Sequence, residues 1–88
     1  MINVNVDKIF YYFDIHIFHI DFYEKDEKYT IPIIEKDFDE MIGIINYYLK
    51  EDKNYIMISD PNDCILKLNF INQNKLLDLK RMIKNHKN

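Results

Sequence analysis

Ile2-Asn3-Val4-Asn5-Val6-Asp7-Lys8-Ile9-Phe10-Tyr11-Tyr12-Phe13-Asp14-Ile15-His16-Ile17-Phe18-His19-Ile20-Asp21-Phe22-Tyr23 is the stretch that decides the fold. Ile2, Val4 and Val6 alternate with polar residues. From Ile9 the odd positions Tyr11, Phe13, Ile15 and Ile17 carry the apolar face, with Asp14 and His16 opposite. This is the period of two of a strand. After Ile17 the phase reverses, since Phe18, Ile20 and Phe22 are apolar and His19 and Asp21 polar. A strict alternation accommodates that only with a bulge or bend near Ile17–Phe18. One straight strand from Ile2 to Tyr23 would measure about 70 Å at a strand's rise per residue, so a break near Asp7–Lys8 is expected as well.

Working outward, Glu24-Lys25-Asp26-Glu27-Lys28 is a solvated charge run that reads as a hairpin loop, and Tyr29, Ile31 and Ile33 continue a strand. Pro32 cannot donate to a ladder, which places that strand at a sheet edge or shortens it. Asp37-Phe38-Asp39-Glu40 opens a helix over about 38–51, with Phe38, Met41, Ile42, Ile45, Tyr48 and Leu49 as its apolar stripe. Gly43, inside it, is expected where the helix closely approaches a strand. Tyr55–Ser59 and Cys64–Ile71 flank Asp60-Pro61-Asn62-Asp63 as a second hairpin, with Leu66, Leu68 and Phe70 on the core face and Lys67 and Asn69 on the wet one. Asn72 or Asn74 then caps a last helix carrying Leu76, Leu79, Met82 and Ile83. The order ββαββα predicts an α+β fold: an antiparallel sheet built from two β-hairpins, with both helices on one face.

The chain has 88 residues, 48% of them apolar and 15% aromatic, with one Gly and two Pro. That describes one small packed domain spanning 1–88, too small for a deep cleft, and excludes disorder and large multi-step enzymes. A lone cysteine, Cys64, forms no internal disulfide and is expected to be a packed thiol. No stretch is apolar enough to span a bilayer, and a cytoplasmic location is expected. The Ile, Asn, Lys and Tyr usage looks like that of AT-rich coding DNA, common in acquired bacterial islands and phages.

Residues 1–40 hold ten acids against four lysines, for −6, and residues 41–88 hold five acids against eight bases, for +3. The acidic half suits a basic protein partner. Lys75, Lys80, Arg81, Lys84 and Lys87 on the last helix offer an alternative, a small nucleic-acid-associated regulator, although the net charge makes nucleic acid a poor first choice. Self-association through the Ile9–Phe22 segment and the Pro32 edge is a third reading.

No catalytic constellation emerges. His16-Ile17-Phe18-His19 invites a metal, but residues three apart on a strand point to opposite faces, so each histidine neighbours an aspartate instead. A single glycine excludes phosphate loops and dinucleotide fingerprints, and no motif surrounds Cys64 or Ser59. The reading is non-enzymatic, with no cofactor and no metal. The feature that remains is an aromatic-rich strand face ringed with carboxylates. The residues assigned to partner binding are Asp14, Asp21, Glu24, Asp26 and Glu27, with Tyr12 and Tyr23 as anchors.

Asp37-Phe38-Asp39-Glu40-Met41 through Tyr48-Leu49, followed by Tyr55-Ile56-Met57-Ile58-Ser59, is a helix-then-hairpin arrangement. With the acidic N-terminal half it resembles the small immunity proteins that neutralise interbacterial polymorphic or contact-dependent-inhibition toxins. Phage-encoded inhibitors such as anti-CRISPR proteins are a less similar alternative. The resemblance implies cytoplasmic residence, one-to-one binding of a toxin domain, here a basic and nuclease-like one, and inhibition by covering its active site or an adjacent surface.

Overall fold

The computed structural model describes the backbone of residues 1–14, 17–34, 38–59 and 63–85, and the side chains of these except 11–14, 17–19 and 31–34. The elements run β1 (Ile2–Asn5), β2 (Lys8–Asp14), β3 (Ile17–Glu24), β4 (Glu27–Ile34), α1 (Phe38–Lys50), β5 (Tyr55–Ser59), β6 (Ile65–Asn69) and α2 (Gln73–Asn85). The fold is α+β, as expected, but four strands precede α1 and they belong to two sheets. One sheet has the order β1-β6-β5, with β1 parallel to β6 and β5 antiparallel to it; the other is the antiparallel meander β2-β3-β4. The single antiparallel sheet from two hairpins is therefore corrected: the first strand leaves its neighbours in sequence and pairs with the second hairpin. It does so because Ile2 and Val4, opposite Leu66 and Leu68, extend the apolar face that β6 already presents.

Both phase slips in the opening stretch have structural causes. The expected break near Asp7–Lys8 is present between β1 and β2. Val6 N–H donates to Asn69 O and Asp7 N–H to Tyr23 O, each at 2.8 Å, although Tyr23 is the ladder partner of Lys8. Two residues thus stand against one, which is a β-bulge. It moves the apolar set from even positions in β1 to odd positions in β2. The second slip is no bulge at Ile17–Phe18, where both residues are regular members of β3. Asp14 pairs with Ile17 and Lys8 with Tyr23, so β2 and β3 are antiparallel partners, and odd residues of one strand oppose even residues of the other. The connecting residues, Ile15 and His16, lie outside the described residues.

β4 is an edge strand, as Pro32 requires. Glu24 and Glu27 close a two-residue turn and form the first hydrogen-bonded pair, so alternate β4 residues, Pro32 among them, turn their backbone away from β3. The missing N–H of Pro32 costs the sheet nothing there and removes a donor from its open side.

One core joins all parts. Val4, Leu66, Leu68, Ile56 and Ile58 come from the first sheet, Ile20 and Phe22 from the second, Phe38, Met41, Ile42 and Ile45 from α1, and Leu76, Leu79 and Ile83 from α2. The rings of Phe22 and Phe70 meet edge to face at 6.4 Å and tie the sheets together. The two helices also pack on each other, with α1 against β5. Asn72 caps α2, its Oδ1 accepting Lys75 N–H at 3.1 Å. Two expectations are overturned: Gly43 is exposed with nothing within 4 Å of where a Cβ would stand, and Cys64, just before β6, is exposed and stands outside the core. Asp60, Pro61 and Asn62 lie outside the described residues.

Candidate functional site

The β3–β4 turn is short because Lys25 takes a left-handed conformation, φ 56°, at its first central position. Its N–H donates to Asp7 Oδ2 at 2.8 Å, and Glu24 Oε2 accepts the N–H of Asn5 at 3.2 Å. Two of the acids around the turn thus satisfy backbone amides of the bulged β1–β2 corner and the turn itself. Glu27 is exposed and accepts the Tyr29 hydroxyl hydrogen bond at 3.0 Å. That bond, then partial burial, then repulsion from Glu27 and Glu24, pushes the Tyr29 phenol above its ordinary value. Asp26 is exposed at the tip. Lys25 and Lys28 alternate with the acids, so residues 24–28 carry three acids and two lysines, a net −1.

The residues expected to bind a partner divide into three groups. Glu24, Asp26 and Glu27 stand together at the tip; Tyr23, half-buried and paired with Lys8 and Lys28, turns to the sheet face opposite to Glu24 and Glu27. Asp21 does not join them. It is 5% exposed, enclosed on β3 opposite Phe10 and Thr30, and its Oδ1 accepts the Thr30 hydroxyl at 2.7 Å. A carboxyl oxygen so enclosed serves the sheet's own hydrogen bonding and is not part of the exposed surface at the tip. The side chains of Tyr12 and Asp14 lie outside the described residues, as do His16 and the side chain of His19. Among the described residues no cluster of His, Cys, Asp and Glu could hold a metal. On α2, Arg81 reaches Asp78 at 3.3 Å in an exposed pair, and Lys87 lies outside the described residues.

A second feature went unread in the sequence. Below the tip, a wedge of about 290 Å³ opens between the β1–β2 corner and α2, lined by Val6, Ile9, Phe10, Phe70, Ile71 and Met82. Ile71 is 78% exposed at its mouth and Phe10 56% exposed, the Phe10 ring standing edge to face on Tyr23 at 5.6 Å. Asp7 and Lys8 border it on the strand side and Lys75 and Asp78 on the helix side, so each bank carries one charge of either sign. The available signals were Phe10, an apolar residue on the polar phase of its strand, and Ile71, which follows Phe70 against the alternation of β6.

Comparison with known proteins adds nothing to this geometry: no family model, curated protein or solved structure matches the chain. Among the described residues no helix is long and apolar enough to cross a membrane.

Proposed function

We propose that this protein is a non-catalytic inhibitor of the immunity type, which binds a basic protein partner, a toxin domain of nuclease-like character, through the tip of the β3–β4 hairpin. The observation that carries the reading is the anchoring of that tip. Asp7 and Glu24 tie the turn to the β1–β2 corner, leaving Asp26 and Glu27 exposed at its end, while the Phe10–Tyr23 ring pair stands on the other face of the same sheet. Carboxylates on a turn tied down in this way need less ordering of the backbone when they pair with a partner's lysines or arginines, and the exposed Phe10 ring on the other face offers further contact area to a partner that wraps the edge.

The test is affinity capture from lysate of the native host, with the wild-type chain and the double variant D26K/E27K in parallel, followed by reconstitution from purified components. The expected result is one stoichiometric basic protein, inhibited on reconstitution by the wild type and neither held nor inhibited by the variant. Capture that is indifferent to the reversal, or a captured protein whose activity is unaffected, overturns the reading.

A further inference from the structure

The β1 ladder to β6 ends with Val6 N–H on Asn69 O. In an extended chain successive residues turn their backbone groups to opposite sides, so the next residue facing β6 should be Lys8. The bulge changes this. Asp7 donates to Tyr23 O, and Lys8, the partner of Tyr23, faces the same way, toward β3. Ile9 is therefore the first residue after Val6 whose N–H and C=O face the side that β6 has vacated, and Tyr11 and Phe13 continue the row. The hairpin parity agrees, because Asp14 and Ile17 close it as a bonded pair, which leaves the odd residues of β2 facing outward. The wedge lies along the beginning of this row, where β6 turns off through Phe70 and Ile71 into α2.

From this we infer that the wedge receives an extended segment of a protein partner, added as a strand to the edge of β2, which among the described residues has no strand beside it. The inference rests on the protein-binding reading and names how a partner would be gripped. Only another extended backbone can satisfy a row of alternate N–H and C=O groups in register, which neither a helix nor a nucleic acid supplies. The banks carry no net charge, so a polyanion finds no attraction there. An added strand would place alternate side chains toward Val6, Phe70 and Met82, and the intervening ones alongside Phe10. The segment therefore has large apolar residues at every second position in the part that enters the wedge.

The probe is a phage-displayed library of linear dodecapeptides, selected on the immobilised protein. Selected peptides are expected to share apolar residues at alternate positions and to shift the Ile9 amide resonance. N-methylation of alternate peptide amides in one parity should weaken binding roughly tenfold or more, and in the other parity far less. Ile71→Asp, at an exposed position that should not disturb folding, should weaken binding roughly tenfold. An absence of selected binders, equal effects of both N-methylation parities, or shifts confined to other surfaces would overturn the inference. So would a concentration-dependent doubling of mass abolished by Ile71→Asp, which would assign the wedge to a second copy of this chain. Partner capture that survives Ile71→Asp but not D26K/E27K upholds the tip and overturns the wedge; the converse pattern does the opposite.

Discussion

The Lys25 N–H and the Asp7 carboxylate, 2.8 Å apart, connect the turn of the second sheet to the bulge from which it departs. With the Glu24 carboxylate on the Asn5 N–H, it is one of two hydrogen bonds among the described residues that join the β3–β4 turn to the corner. Val6 and Asp7 donate to opposite neighbours, Asn69 and Tyr23, so the corner is where the two sheets are held in one frame.

Asp7→Ala should therefore lower stability by about 1 kcal/mol, the net value of one hydrogen bond, and lower the melting temperature by about 4–8 °C in a domain this small. Thermal unfolding followed by far-UV circular dichroism checks this. An unchanged midpoint would mean that water replaces the carboxylate at the turn without loss.

The buried carboxyl of Asp21 sets a second expectation. Thr30→Val keeps the shape of the side chain but removes the hydroxyl that donates to Asp21 Oδ1 at 2.7 Å. An enclosed oxygen deprived of its donor costs about 1–3 kcal/mol, whereas Thr30→Ser retains the donor. Urea unfolding should show a clear fall in midpoint for the valine variant and a smaller one for serine. Equal losses would assign the effect to packing.

These two sites mark how far the sequence could be read. The strand character of 2–34, both helices, the β5–β6 pair and the edge position of Pro32 follow from periodicity and from proline's missing donor, whereas the division of residues 9–23 into two paired strands does not. The slips of phase were visible too, but their causes were not. Ile15-His16 holds neither the Gly nor the Asn that announces a hairpin, so the change of phase after Ile17 read as a bulge near Ile17–Phe18 in one strand. The parallel pairing of β1 with β6 joins residues 2–5 to 66–69, and alternation does not report a neighbour that distant. Asp21 read as surface because acids usually are, and the burial comes from a cross-strand enclosure that no local pattern encodes. The acids of the turn were legible as a group, whereas the division of labour within it, Asp7 and Glu24 on amides, Asp26 and Glu27 outward, depends on the corner.

Tyr29 gives a prediction in pH. Its neutral hydroxyl donates to Glu27, and the folded state therefore holds its pKa above the ordinary phenol value. A raised folded pKa means that the contribution to stability is complete below the unfolded pKa and is lost as pH rises through the folded one. The loss should begin above about pH 10, where an unperturbed phenol ionises. Ultraviolet titration of the wild type, Tyr29→Phe and Glu27→Gln tests this. The phenylalanine variant should lack a late-titrating tyrosine, and the glutamine variant should titrate that tyrosine earlier. An unchanged titration for Glu27→Gln, whose amide oxygen can still accept the hydroxyl, would show that the charge of Glu27 does not hold the proton.

Helix α1 has its glycine in the wrong place. Gly43 lies in the helix interior, with no positive φ and open space where a Cβ would stand, so Gly43→Ala should stabilise by about 1 kcal/mol through helix propensity. At the other end, Lys53 N–H bonds to Tyr48 O and Asp52 N–H to Leu49 O, the paired bonds of a Schellman cap, with Asp52 at φ 62° where glycine is usual. Asp52→Gly removes the strain of a left-handed non-glycine residue, about 1–2 kcal/mol, and forfeits an exposed 3.2 Å hydrogen bond from Gln73. The net effect should still be stabilising, by roughly 0.5–1 kcal/mol. The sites are separated by more than two helical turns and share no partner, so the double variant should gain close to the sum of the two. Denaturant midpoints of the three variants decide it. A destabilised Gly43→Ala would reveal a close approach to α1 in solution, and a destabilised Asp52→Gly would show that the Asp52–Gln73 contact holds the start of α2 against the end of α1 more strongly than an exposed hydrogen bond ordinarily does.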